Sequence, residues 1–265
     1  MPSFATNPDD GVRIAYDEDG TGEPLMLVHG SALSKAIWRG LGYLGALKHD
    51  YRVITVDLRG HGRSDKPHTP EEYAMERVVG DLLAVLAETG TERVHYLGYS
   101  FGARAGFALA AAQPQRLRTF ISAAGTYRIR PGTIGALFFP DWESALVDGG
   151  MAGFVAGWEG RIGSELDPHT RSAFLANDPE AMLAYFRFTE QENGLPEETV
   201  ATIEVPALLL AGTADAPRLA DSRRAVELMP DAELVVLPGR DHGSTLAPAA
   251  EVLAAVEPFL ARHRD

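Results

Sequence analysis

The sequence predicts an α/β fold, a mostly parallel central sheet flanked by helices with a helical cap inserted into it. Three observations carry this expectation. Short β-branched and apolar runs alternate with segments of helical spacing along most of the 265 residues, the pattern of strands joined by covering helices. A glycine-bounded pentapeptide, Gly98-Tyr99-Ser100-Phe101-Gly102, links one such strand to one such helix. The alternation then stops between residues 126 and 195, and an interruption that long is usually a functional element. The expected division is a core of residues 1–125 and 196–265, with residues 126–195 as the cap.

Each element follows from local composition. Residues 12–17 and 25–28 read as strands, 34–48 as partly helical, and 51–56 as the next strand. Residues 75–88 place Val78, Val79, Leu82, Leu83 and Leu86 at helical spacing, with Gly90 just past the end. A short strand at 94–97 leads into an Ala-rich helix at 101–112 that stops before Pro114, and 117–123 is another strand. Within the cap, 142–147, 153–158 and 179–189 read as helices. The last has Asp178 as its N-cap and Pro179 at its first position. Strands resume at 207–210 and 233–237, with helices at 220–229 and 248–262.

Composition narrows the function. Apolar residues at 45% and charged residues at 23% are ordinary for a soluble globular chain. A formal charge of −13 argues against nucleic acid and an anionic membrane surface as partners. With no cysteine there is no disulfide, no thiolate metal site and no catalytic thiol. No run approaches the roughly 20 apolar residues of a membrane span. Met1-Pro2-Ser3-Phe4 has neither the basic start nor the apolar run of a leader, so a cytoplasmic location is expected. The expected partner is a small-molecule substrate, with no metal or organic cofactor, and the sequence does not set the oligomeric state.

The chemistry is carried by the pentapeptide and by two later strand ends. A strand–turn–helix with Gly at both flanks lifts a central Ser above the sheet and aims the first helix amides at the same point. Ser100 is therefore the candidate nucleophile, and the amide of Phe101 is a candidate oxyanion donor. A hydroxyl needs a base, and the base an orienting acid, in the chain order Ser, acid, His. Asp215 follows the strand at 207–210, and His242 follows the strand at 233–237, where parallel strands deliver residues to the active edge. Asp221 and Asp241 stand as alternatives for the acid. The second oxyanion donor is expected at the end of the strand at 25–28, in His29-Gly30-Ser31, from the amide of Ser31 or else Ala32. His29 itself reads as a hydrogen-bonded structural residue.

On these motifs the chain resembles the α/β-hydrolase superfamily along nearly its whole length. Asp57-Leu58-Arg59-Gly60-His61-Gly62-Arg63-Ser64 is similar to the loop after that family's fourth strand. The resemblance implies a supporting, structural role for Asp57 and Arg59. One departure is Asp215-Ala216-Pro217, where many relatives have Asp-Pro. Ser at the elbow separates the chain from the haloalkane dehalogenases and epoxide hydrolases, which place Asp there. The resemblance thus implies a serine hydrolase of a small, hydrophobic carboxylic ester, lactone or thioester. The alternatives are a cofactor-free haloperoxidase or perhydrolase, to which His29-Gly30-Ser31-Ala32-Leu33 and Trp38 have some likeness, and a carbon–carbon bond hydrolase. A non-catalytic ligand-binding member of the fold is a further class.

The cap holds ten of the chain's 22 aromatic side chains. Trp142, Phe154, Trp158 and Phe186 are the candidates to line an apolar substrate pocket over Ser100.

Overall fold

The computed structural model describes residues 3–264. The described residues form eight strands: β1 (Ser3–Thr6), β2 (Arg13–Asp19), β3 (Glu23–Val28), β4 (Tyr51–Val56), β5 (Val94–Tyr99), β6 (Leu117–Ala123), β7 (Ala207–Gly212) and β8 (Ala232–Leu237). They form one sheet in the order β1-β2-β4-β3-β5-β6-β7-β8. β2 pairs antiparallel with β1 and with β4. All other pairings are parallel, so their carboxyl ends gather along one edge.

Side-chain alternation along the strands builds two apolar layers. Met26, Val28, Ile54, Val56 and Leu209 face one layer, and Leu25, Leu27, Val53, Leu208 and Leu210 face the other. Helices α1 (Ala36–Gly40) and α2 (Tyr43–Leu47) cover the second face. Helices α3 (Met75–Glu88) and α4 (Phe101–Ala112) cover the first. Between β6 and β7 the chain forms α5 (Thr133–Leu137), α6 (Trp142–Ile162), α7 (Pro168–Leu175) and α8 (Pro179–Gln191). After α9 (Glu197–Val200) and β7 comes α10 (Ala216–Leu228) on the first face, and α11 (Ala249–Arg262) closes the second.

Most expected elements are present, several with the same ends, and the differences have local causes. β1 went unread because only Ala5 of its four residues is buried, leaving no alternation to detect. The two helices expected at 142–147 and 153–158 are one element, α6, broken at Gly150 (φ 57°, ψ −153°). The intervening glycines read as a gap because they weaken helix propensity. Asp178 caps α8 as expected, accepting from the Ala181 amide. The apolar layer of the α3–α4 face continues without a break into the insertion, through Tyr73 and Phe101 to Tyr185, Phe186 and Phe154. Among the described residues, no helix is long and apolar enough to cross a membrane.

Candidate active site

Ser100 sits in the turn between β5 and α4 at φ 52° and ψ −108°, a left-handed conformation costly for a side chain with a Cβ. The surroundings enforce it. The Ser100 amide donates to Ala123 O at 2.9 Å, and the Gly102 amide donates to His29 O at 3.0 Å. A Cβ on Gly102 would lie 2.2 Å from Val28 O, and one on Gly98 would lie 2.4 Å from the Gly102 carbonyl. Both flanks are glycine because α4 must pass this close to β3 and β5. Among the described residues, the non-glycine positions with positive φ are Ala32, Ser100 and Ala124. All three follow the carboxyl ends of adjacent strands, so backbone strain is concentrated at this edge.

Ser100 Oγ lies 2.9 Å from His242 Nε2, and His242 Nδ1 lies 2.8 Å from Asp215 Oδ2. The Nδ1–H donates to the carboxylate, which leaves Nε2 to accept from the hydroxyl. The three residues come from loops after β5, β7 and β8, and the last two loops are tied together: Ala214 N donates to Arg240 O at 2.9 Å. Tyr99 steadies the histidine loop by donating its hydroxyl hydrogen to His242 O at 2.8 Å. Of the three carboxylates weighed for the place beside His242, Asp215 occupies it. Asp221 instead accepts from Thr126 Oγ1 at 2.7 Å, and Asp241 turns back onto its own loop, accepting from Ser244 N at 2.8 Å. Pro217 falls in the first turn of α10, where no amide hydrogen is required. The Asp215-Ala216-Pro217 departure therefore leaves the acid's position intact.

The amides of Ser31 and Phe101 have no hydrogen-bond acceptor among the described residues. Ser31 and Phe101 line the same cleft as Ser100. The loop bearing Ser31 is fixed from below and from above. From below, Asp57 accepts from Lys35 N at 2.7 Å and from Lys35 Nζ at 2.8 Å. Burial raises the Asp57 pKa, but the neighbouring His29, the two Lys35 bonds and the Arg63 amide together outweigh it and hold the carboxyl below its usual range. His29 is fully buried; its Nδ1–H donates to Gly30 O at 2.8 Å while Nε2 accepts from Leu58 N at 3.1 Å. Both bonds together require a neutral ring, and burial lowers its pKa accordingly. From above, the insertion reaches down: Tyr185 Oη is 2.7 Å from Ser31 Oγ, and Asn177 Nδ2 donates to Ala32 O at 2.7 Å.

The four aromatic residues expected to line the pocket do not. Phe154 and Phe186 are fully buried and packed on each other at 5.5 Å, Trp142 meets Phe186 at 5.5 Å, and Trp158 meets Phe138 at 5.0 Å. They pack on one another in the part of the apolar layer that runs from the α3–α4 face into the insertion. The insertion instead contributes Tyr185, Ile129, Ile134 and Leu137 to the cleft at Ser100. Two cations that sequence reasoning passed over, Arg104 and Arg218, line it as well. The wall is thus less apolar than expected. The one available signal was spacing, since Arg104 lies a single helical turn beyond Ser100. A wider cleft runs along Phe139, Pro140 and Ser144 of the insertion, and no histidine lines it.

A family model described as alpha/beta hydrolase fold matches residues 23–150. A protein of Caulobacter sp. (strain K31), provisionally named a carbamate hydrolase, is 30% identical over 229 residues, covering 81% of this chain and 82% of the relative. A Bacillus subtilis (strain 168) protein is 26% identical over 249 residues, covering 88% of this chain and 89% of the relative. It is provisionally named a 2-succinyl-6-hydroxy-2,4-cyclohexadiene-1-carboxylate synthase. Among solved structures, an esterase from Rhodococcus sp. ECU1013 is similar with a TM-score of 0.82 at 26% identity, over 99% of both chains.

Proposed function

The chain belongs to the α/β-hydrolase family, and on that premise we propose that it is a serine hydrolase cleaving a small carboxylic ester, lactone or thioester through an acyl-enzyme on Ser100. One observation carries the reading: an unbroken run of hydrogen bonds from Ser100 Oγ through His242 to Asp215, beside two amides without acceptors among the described residues.

His242 Nε2 takes the Ser100 proton as Oγ bonds to the acyl carbon. Asp215 holds the ring in the Nδ1–H tautomer and stabilises the imidazolium that forms. The amides of Ser31 and Phe101 receive the charge that develops on the carbonyl oxygen, aided by the N-terminus of α4. The tetrahedral adduct collapses, the bond to the leaving oxygen or sulfur breaks, and His242 returns the proton to that atom. Water then attacks the acyl-enzyme and gives a proton to His242. The acid departs, and Ser100 Oγ recovers its hydrogen. The insertion acts as a cap that closes the cleft over these atoms.

A non-catalytic binding role is the competing class, and an assembled nucleophile, base and acid weighs against it. A fluorophosphonate probe is expected to label the wild type and not Ser100→Ala, with a p-nitrophenyl ester panel of varied acyl length hydrolysed by the wild type. Equal labelling of both proteins, or neither labelling nor hydrolysis in the wild type, would overturn the reading.

A further inference from the structure

Two buried arginines use the same chemistry differently. Arg59 is fully buried, and its Nε and Nη2 both donate to Asp81 at 2.6 Å, the side-on bidentate geometry that suits a carboxylate. Its Nη1 is taken as well, by Asp10 at 3.0 Å and Glu72 O at 2.5 Å. Arg104 is 6% exposed and lies along the cleft at Ser100. It stacks on the Phe101 ring at 4.8 Å, and its Nη1 lies 3.3 Å from Glu192 Oε2. Its Nε and Nη2, the edge that in Arg59 grips Asp81, are buried and have no hydrogen-bond partner among the described residues.

A buried, unsatisfied donor is costly, and two on one guanidinium are more so. Glu192 balances the charge but leaves this edge unfilled. Arg218 makes no ion pair and no hydrogen bond with any described residue, yet it lines the same cleft. Burial lowers its pKa; Asp215 and Asp221 oppose that effect, and the neighbouring Arg104 and Arg130 cations add to it. Two guanidiniums thus face one small cavity in a chain whose formal charge is −13. The arrangement is what a bound anion would complete.

We propose that the substrate carries a carboxylate in its non-reacting part, seated on the Nε–Nη2 edge of Arg104 with Arg218 as a second cation. The inference rests on the acyl-transfer reading and deepens it by naming a substrate class: short half-esters or lactones that bear a free carboxylate. The fork of Arg104 supplies direction as well as charge. From one turn along α4 it anchors the substrate so that the scissile carbonyl meets Ser100. A neutral analogue leaves the fork empty and is discriminated against, as at any site built to hydrogen-bond a missing group.

The test compares monomethyl with dimethyl esters of succinate, glutarate and adipate, by acid release at constant ionic strength. At one chain length the half-ester is expected to exceed the diester in kcat/KM by about tenfold or more. The ratio should fall to near one in Arg104→Gln, and also in Arg104→Gln/Glu192→Gln, which relieves the stranded carboxylate if the single variant folds poorly. Arg104→Lys should recover only part of it, because charge returns without the fork. Binding is read separately, as the Tm rise given by glutarate over chloride, expected in the wild type and in Ser100→Ala and lost in Arg104→Gln. Diesters cleaved with Ser100 labelled, but no half-ester preference and no glutarate-specific Tm rise, would overturn the anion site and leave the serine hydrolase standing. If instead no ester is cleaved and Ser100 is not labelled, the hydrolase reading fails, and the glutarate measurement still decides the anion site.

Discussion

The sheet edge that carries Ser100 is held by backbone geometry, whereas the insertion above it is held by aromatic packing. At the edge, positive φ values at Ala32, Ser100 and Ala124 are locked by main-chain hydrogen bonds and by glycines that admit close backbone contact. In the insertion, Phe138 touches Phe154, Trp158, Phe174 and Phe186 at ring separations of 5.0 to 5.8 Å, and no comparable strain is present apart from the break at Gly150. One region spends stability on holding Ser100 and its neighbours in strained conformations, and the other supplies it. Rate and stability should therefore respond to different substitutions.

The largest effect is expected for Ser100→Ala. Turnover should drop by about 10⁵- to 10⁶-fold, while the unfolding free energy from urea titration stays within the shift of a surface change, about 0.5 kcal/mol. A variant that loses stability along with activity breaks the contrast. Next is Asp215→Asn, expected to cut kcat by about 10⁴-fold through the wrong His242 tautomer. Asp221→Ala sharpens the point, because it removes the acceptor of the Thr126 bond and so should lower stability by about 1–3 kcal/mol while slowing turnover far less. Steady-state kinetics beside urea titration of the two variants separates these outcomes.

Phe154→Ala is the counterpart in the insertion. It should cost about 3–5 kcal/mol of stability, read from denaturant melts. The ratio of short- to long-acyl ester rates should hold within about twofold. A large change in that ratio would mean the aromatic core reaches the substrate after all.

The smallest effect tests whether the edge is silent in stability. His61 is fully buried, and burial, with a lesser push from His29, lowers its pKa to about 3. An unfolded histidine takes up its proton near pH ~6.5. Between that pH and about 3 the unfolded chain binds a proton that the folded chain refuses, so stability is complete above the window and falls as pH drops through it. His61 alone should cost about 2 kcal/mol by pH 5. His61→Leu should flatten the fall in Tm between about pH 7 and pH 5, and an unchanged slope would refute its origin in this ring.

The same contrast explains what could be read before the structure. Ser100, Asp215 and His242 are fixed by a few neighbours each, a glycine pair or a strand end, so local pattern locates them. The two amides follow from the same turns. In the insertion, the aromatic density was legible but its direction was not. Gly150 resets the phase of α6, and periodicity across it cannot tell an inward face from one aimed at Ser100. Arg104 and Arg218 were hidden for a related reason. Their open donors exist only because α4, α8 and α10 meet around one cleft, a relation among distant segments that no local spacing records.

The bonds from Tyr185 to Ser31 and from Asn177 to Ala32 bear on how such a protein changes across generations. They join the insertion to the loop that bears the Ser31 amide, so the insertion is not an exchangeable cartridge. A lineage that replaced it wholesale would also have to reinvent a hydroxyl and an amide at those two places, or else lose the loop's shape. Gradual change at Ile129, Ile134 and Leu137, which line the cleft without holding the loop, is the open route to new substrates.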